Sequence, residues 1–138
     1  MKFLKFESDK LVNVNISPYL IDWSRKVSAP QFKAKKFLYP YWKSSIVLEE
    51  FRIPSSLYRI DLINLSSKIC IEISPDKLHL EFNKFMHGNR VGFHKKIKAD
   101  ADKMLWAERG GFTFLEWYDE DLKNLSKQYL KEKFDLDL

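Results

Sequence analysis

The sequence predicts an α/β fold, a single domain over residues 1–138 whose central mixed β-sheet of about four strands is flanked by helices. Three observations carry that expectation. Short β-branched and apolar runs follow one another between positions 47 and 73, a segment of helical period closes on Gly110-Gly111, and a further apolar run begins at once with Phe112. With 45% hydrophobic and 15% aromatic residues in 138, the chain has apolar surface enough for one sizeable core and is excluded from the disordered class.

Residues 1–27 hold one strand candidate, Lys10 to Ile16, followed by an irregular aromatic stretch through Tyr19 and Trp23. Ser28-Ala29-Pro30 then supplies a serine cap and an early proline, so a helix is expected over Gln31 to Tyr39, with Pro40 ending or kinking it. The alternation of Val47, Glu49, Phe51 and Ile53 with Leu48, Glu50 and Arg52 reads as the first strand of the sheet and stops at Pro54-Ser55-Ser56. Leu57 to Leu65 and Lys68 to Ile73 are the second and third. The segment 76–93 has poor periodicity. From His94 the spacing of Ile97, Ala101, Met104 and Leu105 makes an apolar stripe on a second helix. Phe112 to Trp117 is the fourth strand. A last helix is expected from Asp119, with acids in its first turn and Leu122, Leu125 and Tyr129 on one face.

Charge and cysteine usage narrow the function classes. Cys70 is the single cysteine, which rules out an intrachain disulfide and suits a reducing cytoplasmic setting. The opening MKFLKFESDK is broken by Lys2, Lys5 and Glu7 before an apolar core could form, so no signal peptide is expected. No run approaches the ~20 apolar residues of a membrane-spanning helix, so no membrane partner is expected. Net charge is +5, unevenly spread. Between Trp23 and Leu48 there is no acid, while Arg25, Lys26, Lys33, Lys35, Lys36 and Lys43 are basic; Lys84, Arg90, Lys95, Lys96, Lys98 and Lys103 form a second run, offset by Asp100 and Asp102. Such faces suit a polyanion, most often nucleic acid, and are equally compatible with a solvated lysine-rich surface.

A hairpin about Ser66-Ser67 would set Ile63 against Cys70 and Asp61 against Glu72. Like charges opposed on an antiparallel pair are destabilising by themselves, so a cation is implied. One reading of these carboxylates, on a wet face with Arg59 and Ser74, is a site for Mg²⁺ or Mn²⁺, which take hard oxygen ligands and keep waters. The other is neutralisation by Arg59 and Lys68 in a surface network of little energy. His79 and His87 have no spacing that a metal motif requires.

Read in order, RIPSSLYRIDLI, KICIEIS, His94, Asp100 and a helix ending in GGFTFLEW resemble the PD-(D/E)XK nuclease superfamily. Within it they are similar to the very-short-patch repair endonucleases and the phage homing endonucleases with an EDxHD pattern. The resemblance covers about half of the chain, Pro54 to Trp117. It implies a restriction-endonuclease-like fold and a Mg²⁺- or Mn²⁺-dependent DNA endonuclease, of the site-specific homing or mismatch-nicking kind, phage-encoded in some relatives. Asp61 would be the central metal ligand and Glu72 a second acid at the ion. His94 would act as general base or proton relay, with Asp100 orienting it or binding the ion. Lys33, Lys35, Lys36, Arg59, Lys95, Lys96 and Lys98 would meet phosphates, and a homodimer would match a pseudo-palindromic duplex site.

Two departures from the family pattern stand out. Ser74 occupies the place of a common lysine, which the short-patch branch dispenses with. Gln31 occupies the place of a first-helix glutamate: a natural loss, a vacancy filled by Glu49 or Glu50, or an inactivating Glu→Gln change. A Holliday-junction-resolvase-like nuclease and a non-catalytic DNA-binding module on the same fold remain alternatives.

Overall fold

A computed structural model describes residues 1–74 and 90–138, with backbone alone for 90–96. A short antiparallel hairpin, β1 (Lys2–Leu4) and β2 (Leu11–Asn13), opens the chain, and a 3₁₀ turn at Ser17–Tyr19 follows. Helix α1 spans Ala29–Trp42. Strands β3 (Val47–Arg52), β4 (Arg59–Asn64) and β5 (Ile69–Ser74) form an antiparallel meander. Helix α2 (Arg90–Arg109) then leads to β6 (Thr113–Tyr118), which lies parallel to β5. The sheet order β3-β4-β5-β6 is therefore the expected mixed four-stranded sheet flanked by helices. No helix among the described residues is long and apolar enough to cross a membrane.

Each face of the sheet has its own core. On one, Ala34, Leu38 and Trp42 of α1 pack against Val47, Leu62, Ile71, Leu115 and Trp117. On the other, Trp106 and Ala107 of α2 and Phe3 of β1 pack against Leu48, Phe51, Ile60, Ile63 and Cys70. Trp106 also donates from its indole nitrogen to the Leu4 carbonyl at 2.8 Å, which pins α2 to the N-terminal hairpin. Burying a large aliphatic side chain of this kind contributes about 2 kcal/mol, so the two layers hold the sheet from both sides.

Several sequence expectations change at the level of elements. The strand expected over Lys10 to Ile16 shortens to β2, and its partner β1 was not anticipated. Ser28 does cap α1, its hydroxyl accepting from the Gln31 amide at 3.2 Å, but Pro40 does not end the helix. The final turn survives because Trp42 is anchored in the core and the Lys43 amide donates to the Tyr39 carbonyl at 2.9 Å. The last helix is two: α3 (Asp119–Lys123) and α4 (Lys127–Phe134). Ser126 starts α4 afresh by accepting from the Tyr129 amide at 3.0 Å. The bend wraps both helices around the buried Asp121, whose carboxylate takes hydrogen bonds from Tyr129, Lys133 and the Tyr118 amide.

The apolar stripe expected on α2 is also reassigned. Ile97, Ala101, Met104 and Leu105 are exposed, while the inward line carries Lys103, Trp106 and Ala107. The reason lies under the helix, where carboxylates on β4 and β5 need a polar partner that a purely apolar face would not supply.

Candidate active site

The hairpin register sets the site. Leu62 faces Ile71, Ile63 faces Cys70 and Asn64 faces Ile69, as the Ser66-Ser67 reading requires. Beyond Leu62 and Ile71 the paired register ends, and two side-chain hydrogen bonds tie the strands together. The Asp61 amide donates to Glu72 Oε1 at 2.9 Å, and the Ile73 amide donates to Asp61 Oδ2 at 2.7 Å. Each carboxylate is thus fixed by the backbone of the neighbouring strand. They converge rather than diverge.

A backbone feature on the other side of Asp61 makes this possible. β3 pairs with β4 through Glu49–Leu62 and Phe51–Ile60, but the pairing skips Glu50 and Asp61. Glu50 has φ of 52°, in the left-handed region that costs a non-glycine residue about 1–2 kcal/mol. The interruption leaves the Asp61 amide available to the Glu72 carboxylate. Glu50 also places a third negative charge near Asp61.

The electrostatic consequence is large. Burial, then the charge of Glu72, with a smaller push from Glu50, raises the Asp61 carboxyl to a pKa of about 7; the Ile73 amide and Lys103 oppose the rise without cancelling it. The partner cation is Lys103 on α2, whose Nζ donates to Glu72 Oε2 at 3.0 Å. The alternative to a metal ion in the sequence reading gave that role to Arg59 and Lys68. Arg59 is instead exposed at the start of β4, and the Lys68 ammonium lies over the Phe112 ring, 5.2 Å from its centroid. Nor is the face wet: Glu72 and Ser74 are both buried, and Lys103 of α2 reaches Glu72.

Other candidates separate cleanly. Gln31 is buried in the first turn of α1 with Nε2 lacking a hydrogen-bond partner, and makes no hydrogen bond to Asp61 or Glu72. Glu49 is no substitute acid, because Lys35 Nζ donates to its Oε2 at 2.6 Å and Arg25 lies 3.4 Å from its Oε1. Lys35 is itself withdrawn from the expected phosphate contacts: it is fully buried, and two further bonds to the carbonyls of Asp22 and Arg25 saturate it. Lys33 and Lys36 are exposed on α1, and Lys98 is exposed while paired with Asp102 at 2.9 Å. Asp100 is half-buried on α2. With burial, the Glu116 hydrogen bond and Asp121, its charge pushes the Tyr118 hydroxyl pKa upward. The side chains of His94, Lys95 and Lys96, and all of His79 and His87, lie outside the described residues.

Sequence reasoning missed Lys103 as a site residue, counting it only in a basic run. Its position three residues before Trp106 is the available signal, since that spacing puts both on one face of α2. Glu116 was missed as well. It faces Glu72 across the parallel β5–β6 pair and accepts from the Tyr118 hydroxyl at 2.5 Å, extending the acidic row across the sheet.

Among the described residues no group of three or more His, Cys, Asp or Glu side chains is arranged to hold a metal ion. The pair nonetheless fits a hard divalent cation. Mg²⁺ is commonly held by one or two carboxylates, with waters and substrate phosphates completing its shell. Asp61 Oδ1 accepts no hydrogen bond among the described residues, and burial together with the neighbouring Glu72 charge raises the proton affinity of Asp61. Comparison of the chain with protein-family models, curated proteins and solved structures finds no match in any of the three.

Proposed function

We propose that the chain is a divalent-metal-dependent DNA endonuclease that hydrolyses phosphodiester bonds at Asp61 and Glu72. The observation that carries this reading is the convergence of the two carboxylates from adjacent strands, each locked by the other strand's amide. A rigid pair of hard oxygen donors at the margin of a basic domain suits an ion that must also meet a phosphate.

Asp61 and Glu72 would hold Mg²⁺ or Mn²⁺, which when bound supplies a Lewis acid for the phosphate and acidifies water for in-line attack. The chain's own groups divide the remaining work. The amides of Asp61 and Ile73 fix the carboxylates, so no side-chain rotation is needed when substrate arrives. Lys103 orients Glu72 through its 3.0 Å bond. Helix α2 roofs the pair and keeps bulk water from competing. The order of motifs from Arg59 to Leu115 supports DNA as substrate through the family resemblance, with homing-type or mismatch-directed nicking as its context. Cutting both strands of a duplex would engage two copies of the chain.

The test is nicking of supercoiled plasmid with Mg²⁺ or Mn²⁺ by the wild type and by Asp61→Asn. The wild type should nick only with the ion present, and the variant should keep DNA binding while its rate falls by about a hundredfold or more. Equal nicking by the two would remove Asp61 from the reaction, and no nicking by the wild type under either ion would remove the activity.

A further inference from the structure

An open cleft lies at the β3 edge of the sheet, between the 3₁₀ turn at Tyr19, the loop at Arg25 and Lys26, and the strand residues Glu50, Arg52 and Arg59. Its charges do not balance. Arg52 and Arg59 are direct cross-strand partners in the β3–β4 register, and both are exposed. Two guanidinium groups opposed in this way repel, and nothing in their ladder position compensates. Among the described residues neither forms an ion pair, although Arg52 Nε donates to the Ser56 carbonyl at 2.7 Å. The acid beneath them, Glu49, is already committed to Lys35 and Arg25. Of the acids lining the cleft, Glu50 is then left to offset Arg52, Arg59 and Lys26.

Such an arrangement costs folding stability, and an anion bound between the two strands would recover it. Guanidinium forks match phosphate oxygens in geometry as well as charge. The cleft opens on the α1 face of the sheet, opposite the carboxylate pair, and Glu50, which lines it, is one of the charges that act on Asp61. We propose that this cleft seats the phosphodiester backbone of a nucleic acid, with Arg52 and Arg59 as the clamp and Arg25 and Lys26 on the facing wall. The inference rests on the hydrolytic reading of Asp61 and Glu72 for its choice of a nucleic acid as the occupant.

The test combines binding, melting and nicking. A fluorescein-labelled DNA duplex is titrated at several salt concentrations with the wild type, Arg59→Gln, Arg52→Gln/Arg59→Gln, and a control at the far end of the chain, Lys131→Gln. Removing one phosphate-binding arginine should flatten the slope of log K against log salt by ~0.9, so the double variant should flatten it by roughly twice that while the control keeps the wild-type slope. Arg59→Gln should melt at or above the wild-type temperature, because removing one of two opposed cations relieves repulsion. Weaker binding then does not reflect unfolding. Unchanged affinity and slope in the double variant, no binding of DNA by the wild type, or equal binding of polyglutamate would each overturn the clamp. Binding that depends on the arginines without nicking under any divalent ion would leave the clamp standing and overturn the hydrolytic reading. Nicking and binding at wild-type levels by the double variant would do the reverse.

Discussion

Asp61 carries the most informative departure from ordinary chemistry in the chain. Its carboxyl binds a proton more tightly in the folded chain, to about 7, than the ordinary value of 3.8. In the metal-free protein the folded state therefore holds more protons than the unfolded state across that window. Stability from this group is full below pH ~4 and is lost, by a few kcal/mol, as the pH rises through about 7. Thermal melting in chelator should show a fall over this range, and Asp61→Asn, which cannot ionise, should flatten it. Mg²⁺ added at pH ~8 should restore the melting temperature of the wild type and leave the variant unmoved. Lys103 is the complement. Lys103→Met removes the lysine bridge to a buried Glu72 and should cost about 3 kcal/mol in denaturant unfolding. In nicking, the same variant should lower the rate with little change in DNA affinity, since the lysine acts through Glu72 and not on the duplex.

At the scale of elements, two polar devices hold the layers around the sheet. On the α1 side, Lys35 ties the loop through Asp22 and Arg25 to Glu49 of β3. Lys35→Met should cost about 3–5 kcal/mol in chemical denaturation, because it strands a buried carboxylate, whereas Lys33→Met on the exposed face should fall within about 0.5 kcal/mol of the wild type. On the α2 side the polar partners decide which face turns inward. The β4–β5 register from Leu62 to Asn64 was legible in the sequence because alternation and a short Ser-Ser connection fix which residues oppose; the ladder stops before Asp61 and Glu72, which side-chain-to-amide bonds join instead. The facing of α2 was not legible. Hydrophobic spacing selects the face with most apolar atoms, Ile97, Met104 and Leu105, and carries no information that Glu72 waits on the sheet for Lys103 or that Tyr58 waits for Asp102 at 2.9 Å. The left-handed backbone at Glu50 was illegible for a similar reason: nothing about a glutamate in a strand pattern signals positive φ. The division of the last helix was more readable, since Ser126 is a cap residue, but the spacing of Leu122, Leu125 and Tyr129 runs across the break and conceals it.

On the scale of the whole molecule, the sheet separates two kinds of work. The α1 layer supplies apolar packing and a neutralised Lys35–Glu49 pair, and the α2 layer roofs the acidic row of Asp61, Glu72 and Glu116. The β3 edge presents uncompensated arginines to solvent. The acids under α2 and the basic groups at the open edge are thus kept on opposite faces of the sheet. The most direct measurement of the central claim is anomalous diffraction from crystals soaked in Mn²⁺. An ion held by the pair gives one peak or two within coordination distance of the Asp61 and Glu72 carboxylates, absent in Asp61→Asn. Crystals of the wild type with no anomalous density there at millimolar Mn²⁺, and Lys103 still seated on Glu72, would contradict that claim.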